Sequence, residues 1–228
     1  MSDGPHVADG SAGLVVGVLG GTGPQGRGLA YRWATVGQQV VVGSRSAERA
    51  AGVAAEIGLG VRGMDNAECA RASDVIVVAV PWEGHEELLA THADDLAGRV
   101  VVDCVNPLGF DEKGAYALAV PDGSAAQQAA RLLPGSTVVA AFHHVSAVLL
   151  SDPAVARIDT DILVAGDDRA ATDLVQELAS RIPGMRGVYA GRLRSAHQLE
   201  ALTANLISVN RRYKAHAGIR VTDIGALP

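Results

Sequence analysis

The chain has 228 residues, of which 48% are hydrophobic and 19% are charged, and its formal net charge is −6. This length and composition suit one large domain, or a domain with an extension, that buries a sizeable core. The negative charge argues against a nucleic-acid partner, and no apolar run is long enough to span a membrane. The two cysteines lie far apart in apolar stretches, so we expect buried thiols. The first residues lack the pattern of a signal peptide, so we expect a cytoplasmic protein.

A glycine-rich turn near the amino terminus dominates the pattern. It follows an apolar stretch at 14–19, which predicts a buried strand, and it consists of Gly21, Thr22, Gly23, Pro24, Gln25 and Gly26. A helix and a second strand follow, and this order is the fingerprint of a dinucleotide-binding fold. Gly21 is expected to form the tight turn, Gly23 to admit a pyrophosphate, and Gly26 to bring the helix close to the strand. The alternative is a tight turn that binds nothing.

The end of the second strand indicates which dinucleotide would bind. An acidic residue usually stands there in NAD-binding folds and holds the ribose 2′-hydroxyl, whereas this chain has Ser44 and Arg45. Arg49 lies one helical turn beyond Arg45, so both guanidiniums can face one point. Two guanidiniums and a hydroxyl suit a 2′-phosphate, which predicts NADP rather than NAD. The alternative is that Ser44 caps the next helix and the arginines are solvated.

Strands and helices alternate along the rest of the chain. The predicted strands are 14–19, 40–42, 61–64, 74–80, 99–104, 137–140, 161–165 and 185–189. The predicted helices are 24–36, 46–58, one starting at 65–68, 83–92, 124–133, 166–181 and 193–212, and 109–123 is predicted as a loop. This alternation predicts an α/β fold: a Rossmann-type doubly wound parallel sheet with a smaller C-terminal α/β or helical extension. Ligands bind such sheets at the carboxyl ends of the strands.

Three parts are predicted. Residues 1–13 form a disordered tail, 14–141 form the dinucleotide-binding domain, and 142–228 form a smaller C-terminal domain that completes the site. The last helix carries apolar residues at helical spacing, which give it one broad apolar face. That face fits packing on its own domain or on a second subunit.

Groups for acid–base catalysis are scarce. The only lysines, Lys113 and Lys214, lie away from the predicted cleft, and no Tyr is followed four residues later by Lys. His143 and His144 follow the sixth strand, and His143 is the candidate catalytic residue because it can reach a nicotinamide from the carboxyl end of that strand. No metal site is predicted, since no third ligand stands at a suitable spacing.

A well-matched NADP site combined with few groups for acid–base catalysis suggests that the second substrate is itself a redox cofactor. Hydride would then pass between two preformed rings, and the protein would mainly hold them face to face. The candidate residues for such an apolar slot are Pro81, Trp82, Pro107, Phe142, Val145 and Ala147. The alternative is that these are ordinary core and turn residues.

Several separated stretches together resemble one known family, the NADPH-dependent reductases of the deazaflavin coenzyme F420. These stretches are GVLGGTGPQGRGLA, VVVGSRS, VAVPWEGH, AAFHHVSA, LVAGDD and LEALT, and the match covers nearly the whole chain after residue 13. The resemblance implies direct hydride transfer between deazaflavin C5 and nicotinamide C4, with NADP and coenzyme F420 as the small-molecule partners. It also implies a homodimer or higher homo-oligomer.

The resemblance also implies site residues by position. It puts the NADP phosphates on Thr22, Gly23, Pro24 and Gln25, and the 2′-phosphate on Ser44, Arg45 and Arg49. The nicotinamide neighbourhood falls at Val80, Pro81, Trp82 and Asn106, and both rings come close to His143 and Ala147. Ser146 departs from the family, in which a proline is familiar at that position. The coenzyme's anionic tail would suit basic residues at the mouth of the cleft, namely Arg192, Arg194, Arg211 and Arg212.

Two other functions remain open from the residues. One is an NADPH-dependent reductase of a small imine or carbonyl, resembling the pyrroline-carboxylate or hydroxyacid groups. Those groups rely on a larger C-terminal helical domain and, in the hydroxyacid group, on a catalytic lysine. The other is a non-catalytic NADP-binding module, which would bind NADP without turnover and would tolerate alanine at Trp82 and His143.

Overall fold

The computed structural model describes residues 13–225, so the tail predicted at 1–13 lies outside the described residues except for Gly13. The strands within this range are β1 Val15–Leu19, β2 Gln39–Ser44, β3 Arg62–Asp65, β4 Val75–Val78, β5 Val100–Asp103, β6 Leu108–Asp111, β7 Gly114–Ala117, β8 Thr137–Ala140, β9 Thr160–Gly166 and β10 Met185–Tyr189. The helices are α1 Pro24–Thr35, α2 Ala47–Ile57, α3 Asn66–Arg71, α4 His85–Thr91, α5 Ala93–Leu96, α6 Ala125–Leu132, α7 Ala147–Ser151, α8 Arg169–Ser180 and α9 Ala196–Tyr213.

Eight strands form one sheet in the order β10-β9-β8-β5-β4-β1-β2-β3. The Rossmann-type α/β prediction is confirmed, with one correction to the parallel sheet: β8 and β9 pair antiparallel, while the other neighbours pair parallel. A parallel connection needs a crossover element that returns along the sheet. The segment after β8 contains only the five-residue α7, which packs on α1 instead.

Helices cover both faces of the sheet and divide the core into two layers. Helices α1, α2, α7 and α8 pack on one face, around alternate strand residues such as Val16, Val75 and Val102. Helices α3, α4, α5, α6 and α9 pack on the other face, around the intervening residues such as Ile76 and Val101. Strand β4 is therefore buried on both sides, which explains its continuous apolar sequence.

A small hairpin replaces the loop predicted at 109–123. Strands β6 and β7 pair antiparallel with only residues 112 and 113 between them. The Asp111 side chain closes the turn by accepting the backbone N–H groups of Lys113 and Gly114 at 2.8 and 3.1 Å. Both strands of the hairpin are short and only partly buried, so the alternation of apolar and polar residues that marks a strand is weak in their sequence.

The C-terminal part joins the same sheet through β9 and β10. The segment after α9 is held on β9 by the buried carboxylate of Asp161, which accepts hydrogen bonds from Arg186, Arg220 and the Val221 backbone. Burial opposes ionisation of Asp161, but these donors hold its pKa below the ordinary value. A division of the chain at residue 141 remains a prediction. No helix within residues 13–225 is long and apolar enough to cross a membrane.

Candidate active site

The predicted site residues meet along one edge of the sheet. The glycine turn follows β1, Trp82 follows β4, Asn106 follows β5 and His143 follows β8. These four strands are neighbours, in the order β1-β4-β5-β8, and their carboxyl ends face the same way. The strand order reverses beside β1, which is where ligands bind in open α/β sheets.

Each glycine of the turn has a different packing environment. Gly20, just before the predicted motif, is left-handed, with φ of 74°. A Cβ on Gly21 would lie 2.8 Å from the Val18 carbonyl oxygen, and one on Gly26 would lie 2.7 Å from the Gly21 Cα. A Cβ on Gly23 would meet nothing closer than 3.4 Å. Packing within the chain therefore does not require glycine at position 23, whereas close approach of a pyrophosphate would.

Helix α1 begins with free backbone donors. Its N-cap is Gly23, which supplies no side-chain hydrogen bond, and Pro24 occupies the first turn. The first turn also contains no acidic residue. The positive end of the helix is thus left without a protein anion, an arrangement that suits a bound phosphate.

The end of β2 lies beside this turn, because Leu19 pairs with Gly43 in the parallel register. Ser44 is buried, while Arg45 and Arg49 are exposed and make no ion pair with any residue in 13–225. The cap of α2 is Ser46, whose hydroxyl accepts the Arg49 N–H at 3.2 Å, so the capping alternative considered for Ser44 is wrong. Ser44 and two unpaired guanidiniums therefore remain for a ligand.

Three side chains hold the backbone at positions 142 and 143. Phe142 is left-handed, with φ of 63°, a conformation that costs a non-glycine residue about 1–2 kcal/mol. The Gln25 amide donates to the Phe142 carbonyl at 3.1 Å. Asn106 Nδ2 and Thr203 Oγ1 donate to the His143 carbonyl at 2.9 and 3.0 Å. The glycine turn, β5 and α9 thus fix this backbone together, and strain of this kind is concentrated at functional sites.

The His143 ring is 3% exposed, and neither nitrogen makes a hydrogen bond of good geometry with residues 13–225. Burial lowers its pKa to about 4, although Asp103 and the backbone of Val105 and Cys104 oppose this shift. The imidazole is therefore neutral near pH 7. Two buried ring nitrogens without a hydrogen bond of good geometry are costly, and such groups are concentrated at functional sites.

Beneath the site lies a buried polar cluster that the sequence did not reveal. His85 Nε2 contacts Asp103 Oδ2 at 2.6 Å, and His85 Nδ1 faces Gln128 Oε1 at 2.8 Å. Burial lowers the pKa of His85, but Asp103 outweighs it and the net direction is upward. Asp103 and the Gln128 amide thus favour the protonated form of the His85 ring. This ring lies 5.5 Å from that of Trp82, so the cluster supports the indole from below.

Glu200 completes this cluster from α9. Its two carboxylate oxygens accept the backbone N–H groups of Ala125 and Ala126 at 3.0 and 3.1 Å, at the start of α6. The side chain is 3% exposed, and burial raises its pKa to about 7. The cluster therefore carries charges whose balance changes near neutral pH.

Arg32, also missed from the sequence, fixes the end of α7, the helix that begins with Ala147, and the residues after it. Its guanidinium is buried and donates to the carbonyl oxygens of Leu149, Leu150, Asp152 and Val155. Ala147 is the first residue of α7, whose N-cap is Ser146, so the helix anchored by Arg32 begins beside the site.

The remaining candidate site residues lie in different environments. Pro81 is exposed and Pro107 is buried at the two strand ends. Phe142 and Val145 are core residues, and His144 is held by the Asp161 carbonyl at 2.7 Å. Of the four arginines considered for an anionic tail, Arg192 pairs with Asp167 and is exposed, and Arg194 is also exposed. Arg211 and Arg212 lie in the last turn of α9, next to the hairpin. No cluster of metal-ligating side chains occurs within residues 13–225.

Comparison with known proteins gives a consistent result. Residues 15–107 match the family described as NADP oxidoreductase, coenzyme F420-dependent. The chain is similar to the F420-dependent NADP reductase of Methanothermobacter marburgensis, with 38% identity over 223 residues, 92% of this chain and 99% of that protein.

Solved structures give the same fold. A crystal structure described as an F420-dependent NADP-reductase from Arthrobacter sp. FB24 superposes with a TM-score of 0.79 and 25% identity, over 92% of this chain and all of that one. An imine reductase from Bacillus cereus has a TM-score of 0.64 and 17% identity, over 88% of this chain and 63% of that one, which is a likeness of fold alone. The chain belongs to the family of F420-dependent NADP reductases, which are NADP-dependent oxidoreductases.

Proposed function

We propose that this protein transfers hydride directly between C4 of the NADP(H) nicotinamide and C5 of the deazaflavin coenzyme F420. Family membership supports the reaction, and the open glycine turn supports the placement of NADP. The observation that carries the proposal is the turn itself: a pyrophosphate would lie against Gly23 and the uncapped start of α1. Thr22, Pro24 and Gln25 would flank the same phosphates.

The 2′-phosphate would be bound by Ser44, Arg45 and Arg49. Two exposed guanidiniums without ion-pair partners in residues 13–225 can form charge-assisted hydrogen bonds with a phosphate. A bare ribose hydroxyl offers them no such partner. This assignment therefore favours NADP over NAD.

The nicotinamide and the deazaflavin would meet between the strand ends, near Val80, Trp82 and Asn106 on one side and His143 and Ala147 on the other. The role of the chain is to orient the rings and exclude water, since both rings arrive already activated. His143 is proposed to contact the reacting rings as a neutral imidazole. With a pKa of about 4 it does not supply a proton near pH 7.

We also infer a homodimer or higher oligomer in the cytoplasm. The outer side of α9 carries Leu202, Leu206, Val209 and Tyr213, spaced four, three and four residues apart. Tyr213 is 73% exposed, and a second copy would cover this stripe. The two buried, free thiols, Cys69 and Cys104, fit a reducing compartment.

The reaction can be tested by rapid mixing of the purified protein with NADPH and oxidised F420, following the visible absorbance of the deazaflavin. Fast bleaching with NADPH and little with NADH is expected. If NADPH binds and no bleaching follows, the deazaflavin is not the substrate, and the imine, carbonyl and non-catalytic alternatives return.

A further inference from the structure

A groove of about 630 Å³ lies between the β6–β7 hairpin and the end of α9. The hairpin side consists of Phe110, Asp111, Lys113, Gly114 and Ala115, and the helix side consists of Ile207, Ser208, Arg211 and Arg212.

The groove is cationic although the whole chain carries a formal net charge of −6. Lys113, Arg211 and Arg212 make no ion pair with any residue between 13 and 225. The one acidic side chain in the lining, Asp111, is engaged by the backbone N–H groups of the hairpin turn. Three cations therefore face a shared space without a protein anion to neutralise them, which favours an anionic ligand.

The groove continues from the proposed ring site. Thr203, which donates to the His143 carbonyl, is one helical turn before Ile207 and two turns before Arg211, so all three lie on the same side of α9. Eight residues of helix span roughly 12 Å. On the opposite wall, Asn106 lies just before β6 and shares the contact to His143. A ligand whose ring lies at His143 can extend along this wall to the cations.

The apolar stripe proposed for subunit association occupies another side of the helix. At 100° per residue, Val209 and Tyr213 lie on the side of α9 away from Ile207 and Arg211. Association through the stripe would therefore leave the side of the groove with Ile207 and Arg211 open, while Arg212, about 60° from Val209, would lie at the edge of the contact.

We propose that this groove binds the anionic tail of the deazaflavin substrate, with Lys113, Arg211 and Arg212 as its cationic contacts. The inference rests on the proposed function, which supplies the ring. Arg192 and Arg194, the other basic residues considered for the tail, do not line the groove. Phe110, 67% exposed, forms part of the hairpin side of the groove.

The test compares two oxidants, complete F420 and an 8-hydroxy-5-deazaflavin that lacks the anionic tail. The variants are Lys113→Gln, Arg211→Gln and Arg212→Gln, singly and together, and all three positions are exposed, so the fold should be kept. Each substitution is expected to raise KM for F420 by about tenfold where a charged contact is lost. KM for the tailless compound, KM for NADPH and kcat should stay at wild-type values. The matched control is Arg157→Gln, an exposed arginine in the segment before β9, on the opposite face of the sheet.

The outcomes separate this inference from the reaction. One outcome is that the wild type reduces both oxidants while the variants show the same ratio of KM for F420 to KM for the tailless compound as the wild type. In that case the groove does not bind the tail. If the variants change the sedimentation of the protein and not that ratio, the groove is a contact between copies, and the inference fails. If the wild type reduces neither oxidant, the proposed function itself fails. Higher ionic strength should raise KM for F420 in the wild type more than in the triple variant.

Discussion

Glu200→Gln is expected to remove a fall in stability that the wild type shows between pH 5 and pH 8. The Glu200 carboxylate is buried between the start of α6 and the His85–Asp103 pair, and burial raises its pKa from 4.5 to about 7. Between these two values the folded state binds a proton that the unfolded state has released. The free energy of unfolding must therefore fall as pH rises through this range.

The size of the effect follows from the two pKa values. A difference of about 2.5 units corresponds to about 3 kcal/mol. The free energy of unfolding is lowered by this amount at pH 8, where Glu200 is ionised, and is not lowered below pH 4.5, where Glu200 is protonated in both states. Gln resembles the protonated acid in carrying no charge, but its amide nitrogen cannot accept the second N–H group of α6. The unpaired N–H group lowers the stability of the variant at every pH, whereas removal of the ionisable group changes only the dependence on pH, by up to about 3 kcal/mol.

Urea unfolding of wild type and variant at pH 5, 6, 7 and 8, followed by tryptophan fluorescence, measures this directly. The stability of the variant relative to the wild type should rise progressively from pH 5 to pH 8, by up to about 3 kcal/mol. Glu87→Gln is the matched control, because Glu87 is exposed on α4 and makes no ion pair within residues 13–225. A Glu200→Gln variant that is less stable by the same amount at every pH would refute the reasoning.

The other predictions concern the cofactor site and its frame. Arg45→Ala and Arg49→Ala should each weaken NADPH binding by about 1–3 kcal/mol and leave NADH binding little changed in fluorescence titrations; equal losses for both cofactors would remove the 2′-phosphate assignment. His143→Ala should slow deazaflavin reduction in rapid mixing more than it weakens NADPH binding, and the wild-type rate should show no titration near pH 6.5 that is due to His143. If only NADPH affinity changed, His143 would have a different role. Arg32→Ala should lower the free energy of unfolding by about 3 kcal/mol, because four backbone carbonyl groups lose the buried guanidinium that donates to all of them. A decrease below about 1 kcal/mol would contradict this.

The parts predicted correctly from the sequence are those set by local pattern. The continuous apolar run of β4 indicates burial on both faces, and the glycine turn followed by a helix indicates a dinucleotide-binding frame. Ser44, Arg45 and Arg49 lie at the end of β2 and the start of α2, where the sequence predicted them, and their joint binding of a 2′-phosphate stays a prediction.

The parts that were missed depend on contacts between residues that lie far apart in the sequence. His85, Asp103, Gln128 and Glu200 come from four separate elements, and none of them has a partner within a helical turn. The left-handed backbone at Phe142 is imposed by tertiary hydrogen bonds, because nothing in a phenylalanine favours that conformation. The antiparallel β9 likewise follows from where α7 packs.

One isotope measurement tests the central claim most directly. NADPH carrying deuterium at both C4 positions is mixed with oxidised F420 and the protein in ordinary water, and the reduced deazaflavin is analysed by mass spectrometry and NMR. Direct transfer predicts one deuterium at C5 of the product and a slower bleaching phase than with unlabelled NADPH. Hydrogen from solvent at C5 would contradict hydride transfer between two rings held face to face.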